Sequence, residues 1–198
     1  MYFIEGNIGV GKSTLVNALK EHGLETLQEP VDAWSACRNS NGKNILQEFY
    51  DDPKRWAYTF QSMAFRTRVM GMSSLTDNCI IERSVYTDRM VFAEAALDDG
   101  YIDTIEWNDY INWFDFIMDK FGKKPDGIIY LRGSPETCMK QIKQRGRQGE
   151  ENISLDYLKV LHKKHDKWLT NEDNVLVLDI DTMDRSTFVD RVTAFVSG

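Results

Sequence analysis

Gly6-Asn7-Ile8-Gly9-Val10-Gly11-Lys12-Ser13 has the spacing G-x-x-x-x-G-K-S, and Thr14 follows it. Glycines at these positions let the backbone turn tightly, so that successive N–H groups point into one concavity suited to an anion. In this pattern the lysine, here Lys12, reaches the outer phosphates of a nucleotide, and the Ser13 hydroxyl joins the shell of a magnesium ion. The flanks agree. Tyr2-Phe3-Ile4 is an apolar run of the kind that forms a buried strand. Residues 14–20 read as a helix whose positive N-terminal end faces the anion.

Further along, segments 24–27, 79–81, 127–131 and 175–180 resemble buried strands, mostly separated by long helical patterns. Such alternation predicts an α/β fold with a parallel sheet and helices on both faces. Asn39-Ser40-Asn41-Gly42 marks a loop. Pro53 fits the first turn of a helix running to about residue 72. A helix over roughly 103–121 repeats Ile111, Phe114, Ile117, Met118 and Phe121 at helical spacing. That stripe reads as ordinary core, with a dimer contact as the alternative.

Bulk properties narrow the function. A chain of 198 residues, with no linker or repeat, is expected to form one domain over 1–198. A net charge of −7 argues against binding duplex nucleic acid, although a local basic pocket stays open. No apolar run has the length of a membrane span. The first strand begins at Tyr2, which leaves no room for a targeting segment ahead of it and favours the cytoplasm. Cys37, Cys79 and Cys138 are odd in number and lack metal spacing, so they read as reduced thiols.

In a parallel α/β sheet a ligand sits beyond the carboxyl ends of the strands. The second strand delivers Gln28-Glu29-Pro30-Val31 there, the third Glu82-Arg83-Ser84, and the fourth Arg132 before a turn. Glu29 and Glu82 are therefore expected to converge on the mouth that holds the glycine-rich loop. One carboxylate can orient or deprotonate an attacking hydroxyl while the other helps to hold magnesium. Arg83 can pair with a carboxylate and keep it ionised. Lys140, Lys143, Arg145 and Arg147 read either as a solvated helix face or as a lid whose arginines fold over a transferring phosphoryl group. His162 and His165 lack the partners of a metal site and read as surface histidines.

Taken in order, these motifs resemble one family, the deoxynucleoside kinases. The similarity rests on residues 6–14, Glu29-Pro30-Val31 with Trp34, and Trp56-Ala57-Tyr58-Thr59-Phe60-Gln61. It continues through Glu82-Arg83-Ser84-Val85-Tyr86, Arg145-Gly146-Arg147 and the run from Leu161-His162 to Trp168-Leu169. The resemblance implies a P-loop three-layer sandwich: a five-stranded parallel sheet with helices on both faces and a small arginine-containing lid at about 141–152. It implies Glu29 as general base on a 5′-hydroxyl with Arg83 beside it, ATP held by residues 6–14, and Mg2+ held by Ser13 and Glu82. Lys12, Arg145 and Arg147 complete the implied catalytic set.

The same resemblance makes Gln61 the residue that meets the base edge, with Phe60 and Phe92 flanking the base and Trp34 closing the pocket. Tyr50 and Glu150 are implied to hold the sugar 3′-hydroxyl, and Ile8 and Leu46 to line the site. Ala64, Arg68 and Asp88 are similar to the deoxycytidine and deoxyguanosine kinase branch. Asp88 is an acceptor and favours an exocyclic amino group, while a thymine carbonyl facing it is repelled. Gln141 stands where family members usually carry a lid arginine; Lys140 or Lys143 is the available substitute. The implied activity is transfer of the γ-phosphoryl of ATP to a deoxynucleoside by a cytoplasmic homodimer, with deoxycytidine and purine deoxynucleosides favoured and thymidine possible. The alternatives are a nucleoside monophosphate kinase and a nucleotide-dependent switch. A carboxylate at Glu29 disfavours the first because it repels an incoming phosphate.

Overall fold

A computed structural model describes all residues except 73, 74, 77 and 123. Five strands form one sheet in the order β2-β3-β1-β4-β5, every neighbouring pair parallel. They are β1 (Tyr2–Glu5), β2 (Thr26–Leu27), β3 (Ile80–Glu82), β4 (Gly127–Arg132) and β5 (Val175–Asp179). The helices are α1 (Lys12–Glu21), α2 (Val31–Ala36), α3 (Ile45–Asp51), α4 (Pro53–Met72), α5 (Val85–Thr87), α6 (Glu94–Asp98), α7 (Thr104–Phe121), α8 (Pro135–Arg145), α9 (Leu155–Leu169) and α10 (Phe188–Val196). A π-helical segment, Asp88–Ala93, joins α5 to α6.

Alternation along the strands divides the core between the two faces of the sheet. Ile4, Ile80, Ile129 and Leu131 pack with Leu19 of α1, Ile142 of α8 and Val192 of α10. Phe3 and Ile81 point the other way and meet Phe65 of α4 and Phe114 of α7. Phe3 and Ile4 are fully buried, each worth roughly 1.5–3 kcal/mol against exposure. Helices thus cover both faces, as the alternation of strand and helix predicts.

Two expectations need correction. Strand β2 is limited to Thr26–Leu27 because the Leu24 N–H closes the end of α1 by donating to Leu19 O at 3.1 Å. On α7 the fully buried residues are Tyr110 and Phe114, Ile111, Ile117 and Met118 are half-buried, and Phe121 is 69% exposed. Phe121 is not core: it is the last residue of α7 and faces solvent. Trp113 and Phe116 are exposed as well. Among the described residues no helix is long and apolar enough to cross a membrane.

Candidate active site

Strand order reverses at β1, since the chain builds β2 and β3 on one side of it and β4 and β5 on the other. Such a reversal opens a crevice at the carboxyl end of the central strand. A cavity of about 380 Å³ occupies that place, within the usual size of a small-molecule site.

The loop from Gly6 to Ser13 forms its floor. Gly9 has φ +79°, and a Cβ there would meet Cys138 O and Ile142 Cγ1 at 2.6 Å each, so neither the conformation nor the space admits a side chain. Ile8, Gly9, Gly11, Lys12, Ser13 and Thr14 line the cavity. Gly6 and Asn7 lie below it, where Asn7 Nδ2 donates to Leu158 O at 2.9 Å and fixes the loop to α9. Val10 turns into the core and borders a second cavity of about 150 Å³, with Thr14, Gln141, Arg185 and Phe188 around it. Lys12 Nζ donates to the carbonyls of Gly6 at 3.1 Å and Asn7 at 2.9 Å. Burial, helped by the charge of Arg83, pushes this ammonium down to about 7.

Parallel register carries the acidic residues to the same level. Ile4 pairs with Glu82, which places that carboxylate beside the start of α1, and Ser13 Oγ donates to Glu82 Oε1 at 2.7 Å. Glu29 follows β2 by two residues and lies against the turn after β3. Its Oε1 accepts from Arg83 Nε at 3.1 Å and from Arg68 Nη2 at 2.5 Å. Burial alone would raise this carboxyl, but Arg68, Arg83 and Lys12 outweigh it and hold it at about 2. Arg68 also donates through Nε to both oxygens of Asp88, at 3.1 and 2.9 Å. Burial dominates at Asp88 and, against the pull of Arg68 and Arg83, raises it to about 6.

Arg83 adopts φ +64°, a left-handed conformation that costs a non-glycine residue about 1 kcal/mol or more. Glu5, fully buried, secures this turn by accepting from Ser84 N at 2.8 Å and from the Thr87 hydroxyl. The guanidinium of Arg83 lies 4.6 Å over the ring of Phe92.

Above the acids the walls become apolar. Trp34 meets Phe60 edge-on, with centroids 5.4 Å apart, and Leu46, Phe49, Ala64 and Phe92 complete the lining. Gln61 is 1% exposed, and its Nε2 has no hydrogen-bond partner among the described residues. A buried donor left unmatched in this way is rare, and here it belongs to a side chain that lines the cavity. Tyr50 and Glu150 also line the cavity, Glu150 from the segment after α8. Arg145 Nη2 clasps both oxygens of Glu150 at 2.8 and 2.7 Å, and Arg147 Nη1 adds a third contact at 3.3 Å.

Every expected site residue except Gly6, Asn7 and Val10 lines this cavity. Lys140 and Lys143 do not: both are exposed on α8, and Gln141 and Gln144 face the cavity instead. Glu5, Phe49 and Gln144 were not anticipated. For Glu5 a signal existed, an acid closing an otherwise apolar strand. His165 is not a surface residue. It is fully buried, stacked on Tyr130 and edge-on to Phe92, with Nδ1 2.8 Å from Leu161 O. Its place in the stripe Leu158, Leu161, His165, Leu169 explains this, because that stripe is the inward face of α9. His162 is half-buried, with Nε2 3.4 Å from Asp166.

The comparisons with known proteins agree with this geometry. The family model described as deoxynucleoside kinase matches residues 2–197. A probable deoxycytidine kinase of Fowlpox virus (strain NVSL) is 45% identical over 186 residues, 90% of this chain and 77% of the relative. Deoxycytidine kinase of Homo sapiens is 37% identical over 225 residues, 98% of this chain and 86% of the relative. Mitochondrial deoxyguanosine kinase of Xenopus laevis is 34% identical over 237 residues, 98% of this chain and 89% of the relative. The chain therefore belongs to the deoxynucleoside kinase family. It is an enzyme that phosphorylates deoxynucleosides.

Proposed function

We propose that the protein transfers the γ-phosphoryl group of ATP to the 5′-hydroxyl of a deoxynucleoside, with deoxycytidine and purine deoxynucleosides preferred to thymidine. The observation that carries this reading is Glu29, held by two guanidinium groups in the same cavity that the phosphate-binding loop and the orphaned amide of Gln61 line. A nucleoside laid with its base on Gln61 and its sugar toward Tyr50 and Glu150 presents its primary alcohol to that carboxylate. The proton passes to Glu29 as the oxygen attacks the γ-phosphorus; the new O–P bond forms and the bond to the β-phosphate oxygen breaks, releasing the nucleoside diphosphate. Lys12 and the loop N–H groups take up the charge on the phosphates, and Arg145 and Arg147 approach them from the lid. The smaller cavity beside Gln141 and Arg185 suits the remainder of the donor.

Ser13 Oγ and Glu82 Oε1, adjacent hard oxygen donors at the loop, fit a magnesium ion, which neutralises charge on the β- and γ-phosphates when bound. Asp88 supports the preference for an exocyclic amino group, and Arg68 tempers it. The reading extends to one domain over 1–198, with a lid at about 141–152, working in the cytoplasm as a homodimer. The exposed Trp113, Phe116 and Phe121 on α7 support the dimer.

Incubation with ATP, magnesium and a panel of nucleosides tests this. Nucleoside 5′-monophosphates are expected, with kcat/KM higher for deoxycytidine than for thymidine. ATP hydrolysis without acceptor phosphorylation, or a preference for nucleoside monophosphates, contradicts it.

A further inference from the structure

His165 is fully buried and has no part in the reaction as read above. Leu161 O can only accept a hydrogen bond, so the Nδ1 atom 2.8 Å from it carries the proton. That bond fixes both the tautomer and the plane of the ring. It leaves Nε2 as a buried acceptor with no partner among the described residues. An unmatched buried acceptor is costly, so packing alone would favour an apolar side chain here. The neighbouring ring is fixed as well. Tyr130 stacks on His165 with the planes 9° apart, and its hydroxyl donates to Asp166 Oδ1 at 2.6 Å. Arg132 clasps Asp166 in turn, through Nε at 3.0 Å and Nη2 at 2.9 Å.

This anchored imidazole meets Phe92 edge-on, with centroids 6.4 Å apart and planes at 87°. Phe92 lines the cavity, and the guanidinium of Arg83 lies 4.6 Å over its ring. That guanidinium has one hydrogen bond among the described residues, from Nε to Glu29 Oε1 at 3.1 Å. Its Nη1 is buried and unmatched. A planar group held by one hydrogen bond can pivot about it. The ring of Phe92 is the surface that stops the pivot, and the ring is only as steady as the side chain it abuts.

We propose that His165 is a positioning residue: from α9 it fixes the ring of Phe92, and that ring holds both a wall of the nucleoside site and the guanidinium that aims Glu29. This rests on the reading of Phe92 as flanking the base and of Glu29 as acceptor of the hydroxyl proton. An apolar residue at 165 fills the space but leaves Phe92 free to turn. The imidazole does not turn, because its bond to Leu161 O and its stack on Tyr130 hold it in two directions. A buried histidine with one unmatched nitrogen is then the cost of a fixed ring behind the active site.

The test is steady-state kinetics with deoxycytidine and ATP for the wild type, His165→Leu, His165→Phe, Phe92→Leu and the double variant Phe92→Leu/His165→Leu. In His165→Leu the KM for deoxycytidine is expected to rise ~5-fold, the scale of one lost aromatic contact. In the same variant kcat falls ~10-fold, because a small misplacement of the catalytic group is costly. The KM for ATP stays within about two-fold, since the donor does not touch this ring. His165→Phe restores a ring against Phe92 and brings both nucleoside parameters within about three-fold of the wild type. In the Phe92→Leu background the change at 165 adds less than about two-fold, because the path is already cut. A merely structural role lowers kcat through the folded fraction and leaves both KM values where they were. That result, or multiplicative effects in the double variant, overturns the proposal alone provided Phe92→Leu raises the nucleoside KM. An unchanged nucleoside KM in Phe92→Leu overturns the reading of the site and the proposal with it. If His165→Leu does not fold, His165→Met fills the same space with a more adaptable side chain and gives the same readouts.

Discussion

Arg83 reaches Glu29 from a strained backbone: its Nε lies 3.1 Å from Glu29 Oε1 while its φ is +64°. A relaxed conformation would direct this side chain elsewhere, so the fold bears a local cost to aim a cation at one carboxylate. The consequence is an acid that stays ionised and oriented inside a cavity that would otherwise favour its neutral form.

Replacing that acid by its amide separates proton acceptance from binding. Glu29→Gln retains the shape of the side chain but cannot take up the hydroxyl proton. It is expected to lose at least ~100-fold in kcat, the usual scale for a general base, while the KM for nucleoside stays within a few-fold. Steady-state kinetics check both numbers.

Glu5 supports the strained turn from below. Glu5→Ala leaves the Ser84 N–H and the Thr87 hydroxyl without their buried acceptor. The expected destabilisation is about 3 kcal/mol in denaturant unfolding, and kcat falls because Arg83 loses its seat. Glu5→Gln, which keeps an acceptor, loses less of both.

Gln61 offers the opposite balance. Its Nε2 has no partner among the described residues, so Gln61→Leu removes an unmatched buried donor. Thermal stability is expected to hold or rise slightly, while nucleoside KM rises by ~10-fold or more through loss of the base-edge contact. A parallel fall in stability and affinity contradicts the assignment.

His165 makes stability depend on pH. Burial, reinforced by the charge of Arg83, holds its imidazole well below the ordinary range, so it stays neutral in the folded protein. The unfolded chain takes up that proton as pH falls through about 6.5, and stability is lost on the acid side. Stability is therefore expected to fall as pH drops from 7 to 5, and unfolding of His165→Phe, followed across that range, is expected to lack this component.

Much of the site was legible in the sequence because its parts lie at the ends of strands. Once the loop at Gly6–Ser13 fixed β1 and α1, parallel strands placed Glu29, Glu82 and Arg83 at one mouth. Apolar runs located all five strands within two residues. What stayed hidden depends on three-dimensional company. His165 has the composition of a surface residue, and only the helical register of α9 reveals that it faces inward. Phe121 continues an apolar stripe in sequence yet lies beyond the packed part of α7. The clasp of Arg145 on Glu150 and the bridge from Asp88 through Arg68 to Glu29 join residues of different segments, which no local pattern encodes.

The most direct measurement is a crystal structure of the protein with a deoxynucleoside and a non-hydrolysable ATP analogue. A Glu29 carboxylate oxygen is expected within roughly 2.6–3.2 Å of O5′, with O5′ in line with the γ-phosphorus and the bridging atom beyond it. A carboxylate turned away from O5′, or an O5′ off that line, would contradict the account.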